Sequence, residues 1–92
     1  MRIRIGESIF YDFTKDGEDS TDSQSCNYFV RDDNNTDILT GELEKQDNTF
    51  MLRITNDDTS TLVQGKYTLL VSFSDSDSGY YDFILDEVLE II

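Results

Sequence analysis

The sequence contains no histidine, and its only cysteine is Cys26. Histidine is the commonest general base in enzymes and the commonest transition-metal ligand, and a zinc cage needs several thiolates or imidazoles. Ser/His/Asp and Cys/His nucleophilic arrangements are therefore excluded, and an internal disulfide cannot form. We predict that the chain is not an enzyme and needs no cofactor, and that Cys26 is a small apolar filler on a strand.

Long hydrophobic runs and basic side chains are scarce as well. No apolar run of about 18 residues is present, and the start, MRIRIGESIF, lacks the organisation of a signal peptide. Seven basic residues stand against twenty acidic ones, giving a formal net charge of −13 at pH 7, and none of the basic ones follows Lys66. Acidic surfaces are repelled by phosphate backbones and anionic lipids. Because no apolar run or signal peptide is present, we expect a soluble, unsecreted protein. Because the net charge is strongly negative, we expect no direct nucleic-acid partner and no membrane partner. The last third of the chain should be uniformly negative.

Apolar and polar residues alternate with the period of a β-strand along most of the chain. The faces predicted to point inward are Ile3 with Ile5, Ile9 with Tyr11 and Phe13, Cys26 with Tyr28 and Val30, Phe50 with Leu52 and Ile54, and Tyr67 with Leu69, Val71 and Phe73. Turn-rich clusters lie at 15–23, 32–35, 46–48 and 74–79, and a weaker, edge-like strand at 36–45. Short strands at this spacing predict an all-β antiparallel sandwich or barrel.

One segment, at residues 56–62, can hold a short helical turn, because Asn and Asp side chains at its start can accept the free N–H groups of a first turn. The spacing of Leu62, Gly65 and Tyr67 resembles the tyrosine corner of Greek-key sandwiches. In that arrangement the tyrosine hydroxyl bonds to backbone a few residues upstream and fixes the crossing between sheets. The alternative is an ordinary core tyrosine.

The end of the chain, residues 79–92, fits either a strand or an amphipathic helix. The strand is favoured, because the SDSDSG sequence before it is a good hairpin connection that directly follows a strongly alternating strand. This strand would turn Tyr81, Phe83 and Leu85 inward and carry a β-bulge near 86–87.

Two acidic loops, DGEDSTD at 16–22 and DSDSGYYD at 75–82, bring several oxygen donors together, as a calcium ion requires. Neither loop has the spacing of an EF-hand. Turn formation explains the same Asp, Ser and Gly residues more simply, so we expect no bound metal.

Several apolar residues are predicted to face away from the core. Phe29, Leu70 and Ile84 fall on adjacent strands of one sheet, and Phe10 and Met51 fall on the other sheet. A contiguous patch of three apolar side chains is typical of a protein contact, and acidic surroundings would steer a basic partner towards it. We predict that Phe29, Leu70 and Ile84 bind a partner; the alternative is that a loop or the edge strand covers them.

The order of these segments resembles the small immunoglobulin-like domains of tailed-phage structural proteins, including the N-terminal domain of baseplate upper proteins. The resemblance is carried by IRIGESIFYDF, NTFMLRIT, DDTSTLVQGKYTLLVSF and SGYYDFILDEVLEI, and it covers nearly the whole chain. It implies a single immunoglobulin-like domain over residues 1–92, with about seven strands and at most one short helical turn near 56–62. It also implies a virion protein, assembled in the host cytoplasm, that docks on capsid, fibre, neck or baseplate subunits or on copies of itself.

The acidic composition allows a second hypothesis of a different class. Small acidic inhibitors of the anti-CRISPR or anti-restriction type mimic the charge of DNA and compete for the phosphate-binding cleft of a host defence nuclease. Such mimicry requires acidic side chains in rows on one face. In this sequence many of them fall in turns instead, where solvation alone would place them, so the adhesive module is the favoured hypothesis.

Overall fold

The computed structural model describes residues 1–14 and 20–92, which form eight β-strands and one helical turn. The strands are β1 (Arg2–Ile3), β2 (Ile9–Thr14), β3 (Gln24–Arg31), β4 (Asp37–Glu42), β5 (Glu44–Gln46), β6 (Thr49–Ile54), β7 (Gly65–Asp75) and β8 (Tyr80–Ile91), with the helical turn α1 (Asn56–Thr59) between β6 and β7. The turns predicted at 32–35, 46–48 and 74–79 fall at hairpin connections, while residues 15–19 of the turn predicted at 15–23 lie outside the described part. No helix in the described residues is both long and apolar enough to cross a membrane.

The strands form two sheets, ordered β1-β8-β7-β3-β4 and β2-β6-β5. The all-β prediction is confirmed, with eight described strands where about seven were expected, and α1 confirms the short helical turn near 56–62. The prediction of purely antiparallel pairing is wrong at β1, which runs parallel to β8 and places Arg2 opposite Glu90. These two strands can be parallel because the whole domain, not a hairpin, connects them.

A single hydrophobic cluster with members from both sheets forms the core. The inward faces predicted for β3, β6 and β7 are confirmed, and Cys26, fully buried among them, confirms its prediction as a filler. The predictions for Ile5 and Tyr11 are wrong, because these side chains are 46% and 50% exposed. Ile5 lies beyond the end of β1, and Tyr11 lies on β2, which has a neighbouring strand on one side only.

The segment predicted as one edge strand at 36–45 is divided between the sheets. β4 forms the edge of the larger sheet and β5 forms the edge of the smaller one. Leu43 lies between them, is 3% exposed, and donates its backbone N–H to the carbonyl oxygen of Cys26 at 2.9 Å. The chain therefore crosses from one sheet to the other at a buried leucine, which adds to the core at the point of crossing.

The prediction of a strand at the end of the chain is confirmed by β8, but its β-bulge lies earlier than predicted. The register pairs Val71 with Leu85 and Ser72 with Phe83, so Ile84 is the additional residue. Because an inserted residue reverses the alternation beyond it, Phe83 is turned away from the core. Leu85 packs on the core as predicted, whereas Tyr81 and Phe83 are 58% and 42% exposed, so their inward prediction is wrong.

The hydroxyl of Tyr67 donates a hydrogen bond to the carbonyl oxygen of Val63, four residues upstream, at 2.9 Å. This is the bond that the Leu62, Gly65 and Tyr67 spacing predicts for a tyrosine corner. Leu62 is buried in the core. Gly65 has a φ of 154°, a conformation that L side chains rarely adopt, so a glycine suits the start of β7.

We expect Tyr67→Phe to lower the free energy of unfolding by about 1 kcal/mol, because it removes one hydrogen bond and keeps the buried ring. Urea denaturation measures the change. The matched control is Tyr81→Phe, whose ring is 58% exposed and whose substitution should change stability by less than about 0.5 kcal/mol. Equal effects of the two substitutions would show that the hydroxyl of Tyr67 does not stabilise the corner.

Candidate docking surface

The structure separates the three residues predicted to form a patch. Phe29 and Leu70 lie opposite each other on β3 and β7, as adjacent-strand residues of one sheet should. Leu70 is only 6% exposed, so the expectation that it is an exposed contact residue is wrong. The reason is its place on the central strand, between Phe29 on one neighbour and Asp86 on the other. Phe29 is itself half-buried, with the guanidinium of Arg31 5.4 Å from the ring centroid.

Ile84 lies away from that pair. It is 42% exposed and lines a groove together with Phe50 and Phe73, two side chains that belong to or pack on the core. The β-bulge accounts for this, because the additional residue in β8 is turned towards the side of the smaller sheet. The predicted continuous patch of Phe29, Leu70 and Ile84 is therefore not formed.

We expect Leu70→Glu to destabilise the domain by at least about 2 kcal/mol, because it buries a charge next to the carboxylate of Asp86. Thr40→Glu on β4 is the control, since Thr40 is exposed and lies opposite Phe29. Thermal unfolding followed by circular dichroism compares the two variants. A Leu70→Glu domain as stable as the Thr40→Glu domain would show that Leu70 can turn out to solvent.

A groove of about 540 Å³ opens between β2 of the smaller sheet and the first half of β8 of the larger one. We call it the open-side groove. Its lining is mainly aromatic and aliphatic: Tyr11, Asp12, Phe13, Thr14, Phe50, Phe73, Tyr80 and Ile84. The rings of Tyr11 and Phe13 are tilted by 50° to each other with centroids 4.9 Å apart, and Phe73 contacts both Phe50 and Tyr80. The groove thus leads from solvent to the edge of the hydrophobic core.

In the described part of the chain, few residues cover this side of the sandwich, and the groove is open there. β2 is an edge strand, and β1, the outer neighbour of β8, pairs only with Glu90 and Ile91. Among the strands that the structure describes, residues 80–87 of β8 therefore have a neighbour on the β7 side only. The apolar groove thus lies between the edge of β2 and the edge of β8, neither of which has a further described strand beside it there.

The first five residues of β8, Tyr80–Ile84, include four large apolar side chains that are exposed. We call these five residues the β8 apolar segment. Tyr80, Tyr81, Phe83 and Ile84 are 52%, 58%, 42% and 42% exposed, respectively. The rings of Tyr81 and Phe83 form an edge-to-face pair with centroids 5.7 Å apart. Tyr80 and Ile84 face the groove, so apolar side chains are presented on both sides of one free strand edge.

The sequence signal for this surface is the run YYDFI itself, in which four of five residues are large apolar side chains. The alternating pattern assigned half of its apolar residues to the core, and the position of the bulge could not be read from that pattern. Without the bulge, Phe83 would point inward and the exposed segment would not exist. The docking surface therefore depends on one irregularity in the pairing of β7 with β8.

The β7–β8 turn holds the β8 apolar segment in place, and Asp75 closes that turn. The carbonyl oxygen of Asp75 accepts the N–H of Gly79 at 2.9 Å, and its carboxylate accepts the N–H of Asp77 at 3.0 Å. A hydrogen bond from the side chain of Ser23 is the largest of the effects that hold the pKa of the Asp75 carboxyl below its usual value of 3.8. The ionised carboxylate therefore stabilises the turn at neutral pH.

Negative charge surrounds the β8 apolar segment more than it does the far end of β8. At the far end, Glu87 lies 3.2 Å from the amino group of Met1, and Glu90 lies 2.6 Å from the guanidinium of Arg2. The expectation of a uniformly negative last third is therefore wrong at that end, where the start of the chain supplies positive charge. Among the described residues, Asp82 and Asp86 have no salt-bridge partner.

Asp82 also affects its neighbour Tyr80. The hydroxyl of Tyr80 donates a hydrogen bond to Oδ2 of Asp82 at 3.2 Å. The negative charge of Asp82 raises the pKa of the Tyr80 phenol above its usual value of 10.0, and the hydrogen bond acts in the same direction. The other carboxylate oxygen, Oδ1, accepts the backbone N–H of Phe83 at 2.8 Å.

We expect Asp82→Asn to lower the pKa of Tyr80 towards its usual value, because the substitution removes the charge that disfavours the phenolate. An NMR titration of ring-labelled tyrosine measures the pKa of each phenol separately. Asp33→Asn, which removes the same charge from an exposed site lining a different pocket, should leave the pKa of Tyr80 unchanged. Equal shifts in both variants would assign the effect to net charge instead of to the contact.

The described residues contain no group of three or more His, Cys, Asp or Glu side chains arranged to hold a metal ion. Part of the first acidic loop considered for calcium, at 16–22, lies outside these residues. In the second, at 75–82, Asp75 and Asp82 accept hydrogen bonds from the chain itself. Burial raises the pKa of the Cys26 thiol to about 11, so it is protonated at neutral pH and a poor nucleophile.

Comparisons with protein-family models, with curated proteins and with solved structures give no match to this chain. The resemblance to the small domains of tailed-phage structural proteins therefore stays a prediction.

Proposed function

We propose that this chain is a non-enzymatic adhesive module that docks on another protein through the open-side groove and the β8 apolar segment. One observation carries the proposal: four of the five residues of the β8 apolar segment are large apolar side chains that are at least 42% exposed. This part of β8 pairs with β7 and with no other described strand. Burying what remains exposed of each would contribute roughly 1 kcal/mol or more to an association. Tyrosine and phenylalanine are also enriched at protein interfaces and suit the centre of one.

We infer further that the sandwich is immunoglobulin-like. With β2 to β8 taken as strands B, C, C′, D, E, F and G, one sheet has the order B-E-D and the other contains G-F-C-C′. An immunoglobulin-like domain divides its strands in this manner. The tyrosine corner supports the same assignment, since Tyr67 lies near the start of β7, the strand taken as F.

The class of partner follows from the resemblance to phage domains. We propose that the partners are structural subunits of a tailed-phage virion, with the capsid, fibre, neck and baseplate as the surfaces to be tested, and that the chain acts within the virion. A small domain with an apolar docking surface suits such a role, because assembly on a particle requires contact area and no chemistry.

The DNA-mimic hypothesis gains no specific support from the placement of the acidic side chains. Glu87 and Glu90 pair with cationic groups from the start of the chain, and Asp37 and Asp12 pair with Arg31 and Arg53. Pairing of this kind reduces the rows of unpaired carboxylates that an imitation of a phosphate backbone needs. We therefore keep adhesion as the proposed function.

The test compares Ile84→Lys with Val63→Lys. The two substitutions change net charge equally, but Ile84 lines the open-side groove, whereas Val63 is 71% exposed beside the tyrosine corner, before the start of β7. Phage particles purified from the organism that carries the gene are sedimented with each labelled protein. We expect the unmodified chain and Val63→Lys to sediment with the particles, and Ile84→Lys to lose most of this binding.

Circular dichroism and thermal unfolding establish that both variants fold before they are compared. If the unmodified chain does not sediment with the particles, the virion assignment is wrong. If the two variants bind the particles equally, the assignment of docking to the open-side groove is wrong. Displacement of the chain from a DNA-binding nuclease by DNA would favour the inhibitor hypothesis over adhesion.

A further inference from the structure

We propose that the free edge of β8, residues 80–87, binds an extended basic segment of a partner protein as an added β-strand. This inference rests on the proposed function, because it names the mode of docking and the chemistry of the partner at the same surface. Addition of a strand to an exposed sheet edge takes its affinity from main-chain hydrogen bonds and its specificity from alternate side chains.

The backbone of β8 supplies the first argument. The carbonyl oxygen of Val88 accepts a hydrogen bond from the amino group of Met1, and the N–H of Glu90 donates to the carbonyl oxygen of Met1 at 2.8 Å. The polar groups of these residues therefore point away from β7, and by the alternation of a strand those of Asp86 do so as well. β1 already occupies the last part of this edge as a paired strand. No other described strand pairs with residues 80–87 on this side, where the N–H of Phe83 is bonded to Oδ1 of Asp82.

The side chains supply the second argument. A strand laid along residues 80–87 would turn alternate side chains towards the open-side groove, where Tyr11, Phe13 and Ile84 present apolar surface. Its remaining side chains would lie beside Tyr81 and Phe83 on the other side of the sheet. The added strand would thus cover exposed apolar groups on both sides of the edge, which no small ligand in the groove alone would do.

Charge decides the chemistry of the occupant. Asp82 and Asp86 lie on the open part of the edge and have no cationic partner among the described residues. A second copy of this chain carries a net charge of −13 and would be repelled, so a strand containing Lys or Arg is the better occupant. The edge of β2 is less suited to bind a basic strand, because its carboxylate at Asp12 already has a cationic partner. The guanidinium of Arg53 lies 2.8 Å from that carboxylate.

The experiment uses three synthetic peptides of about eight residues, the length of a typical strand. The first alternates valine and lysine, and the second alternates valine and glutamate. The third is the lysine peptide with every backbone amide nitrogen methylated, so that neither of its edges can donate a hydrogen bond to β8. Binding to the full chain is measured by calorimetry, and the affected backbone amides are identified by NMR. We expect the lysine peptide to bind and to perturb residues 80–87, and added salt to weaken it.

The N-methylated peptide should bind at least about tenfold more weakly, because several main-chain hydrogen bonds are lost, and the glutamate peptide should show no binding. Asp82→Asn should weaken binding of the lysine peptide about two- to fivefold, while Asp33→Asn, at a distant exposed site, should leave this binding unchanged. Equal binding of the methylated and unmethylated peptides would overturn strand addition. Dimerisation of the chain through residues 80–87 would overturn the proposal that the occupant of this edge is a basic segment of another protein.

Failure of this inference is distinguishable from failure of the proposed function. If Ile84→Lys abolishes sedimentation with phage particles and the lysine peptide does not bind, adhesion through the open side stands and strand addition is overturned. If the lysine peptide binds as expected and the chain does not sediment with the particles, binding by strand addition stands and the virion assignment is wrong.

Discussion

Burial of β7 on both faces is the condition on which the rest of the structure depends. Its inward residues fill the core, and on the other face Leu70 and Ser72 are also almost fully buried, although no layer of described strands covers that face. Such burial requires large neighbours on both adjacent strands, and Phe29 and Phe83 lie directly opposite these two residues. The central strand is thus protected by its neighbours, and the apolar surface they use for this purpose stays partly in contact with water.

The β-bulge at Ile84 connects this packing to the candidate docking surface. Beyond it, β8 presents Phe83 over Ser72, and at the bulge Ile84 is turned towards the smaller sheet. In a regular strand with Leu85 inward, Phe83 would also point inward. The additional residue places Phe83 over Ser72 while Leu85 still packs on the core. Bulges are common next to functional sites for this reason, since they change the direction of a side chain without ending the strand.

Much of the fold could be predicted from the sequence, because alternation is a strong signal where one face is fully buried. This holds for β3 and β6, whose inward residues are all in the core, and for the tyrosine corner at Tyr67. Prediction was poor where the structure of a segment depends on strand pairing with residues far away in the sequence, because alternation of apolar and polar residues does not report that pairing. The parallel position of β1, the division of 36–45 at Leu43 and the bulge at Ile84 all depend on which strands become neighbours. The predicted patch failed for the same reason, since exposure of Leu70 is decided by flanking strands.

The parallel pairing of β1 with β8 also determines how the domain responds to force. Arg2 lies opposite Glu90, and hydrogen bonds join Ile5 to Ile92 and Ile92 to Ile3, so the two ends of the chain leave the sheet side by side in opposite directions. Tension applied between these ends pulls along the strands and loads the connecting hydrogen bonds together in shear, whereas tension across a hairpin would open them one after another. A module attached through both ends would consequently resist stretching at the contact between its first and last strands.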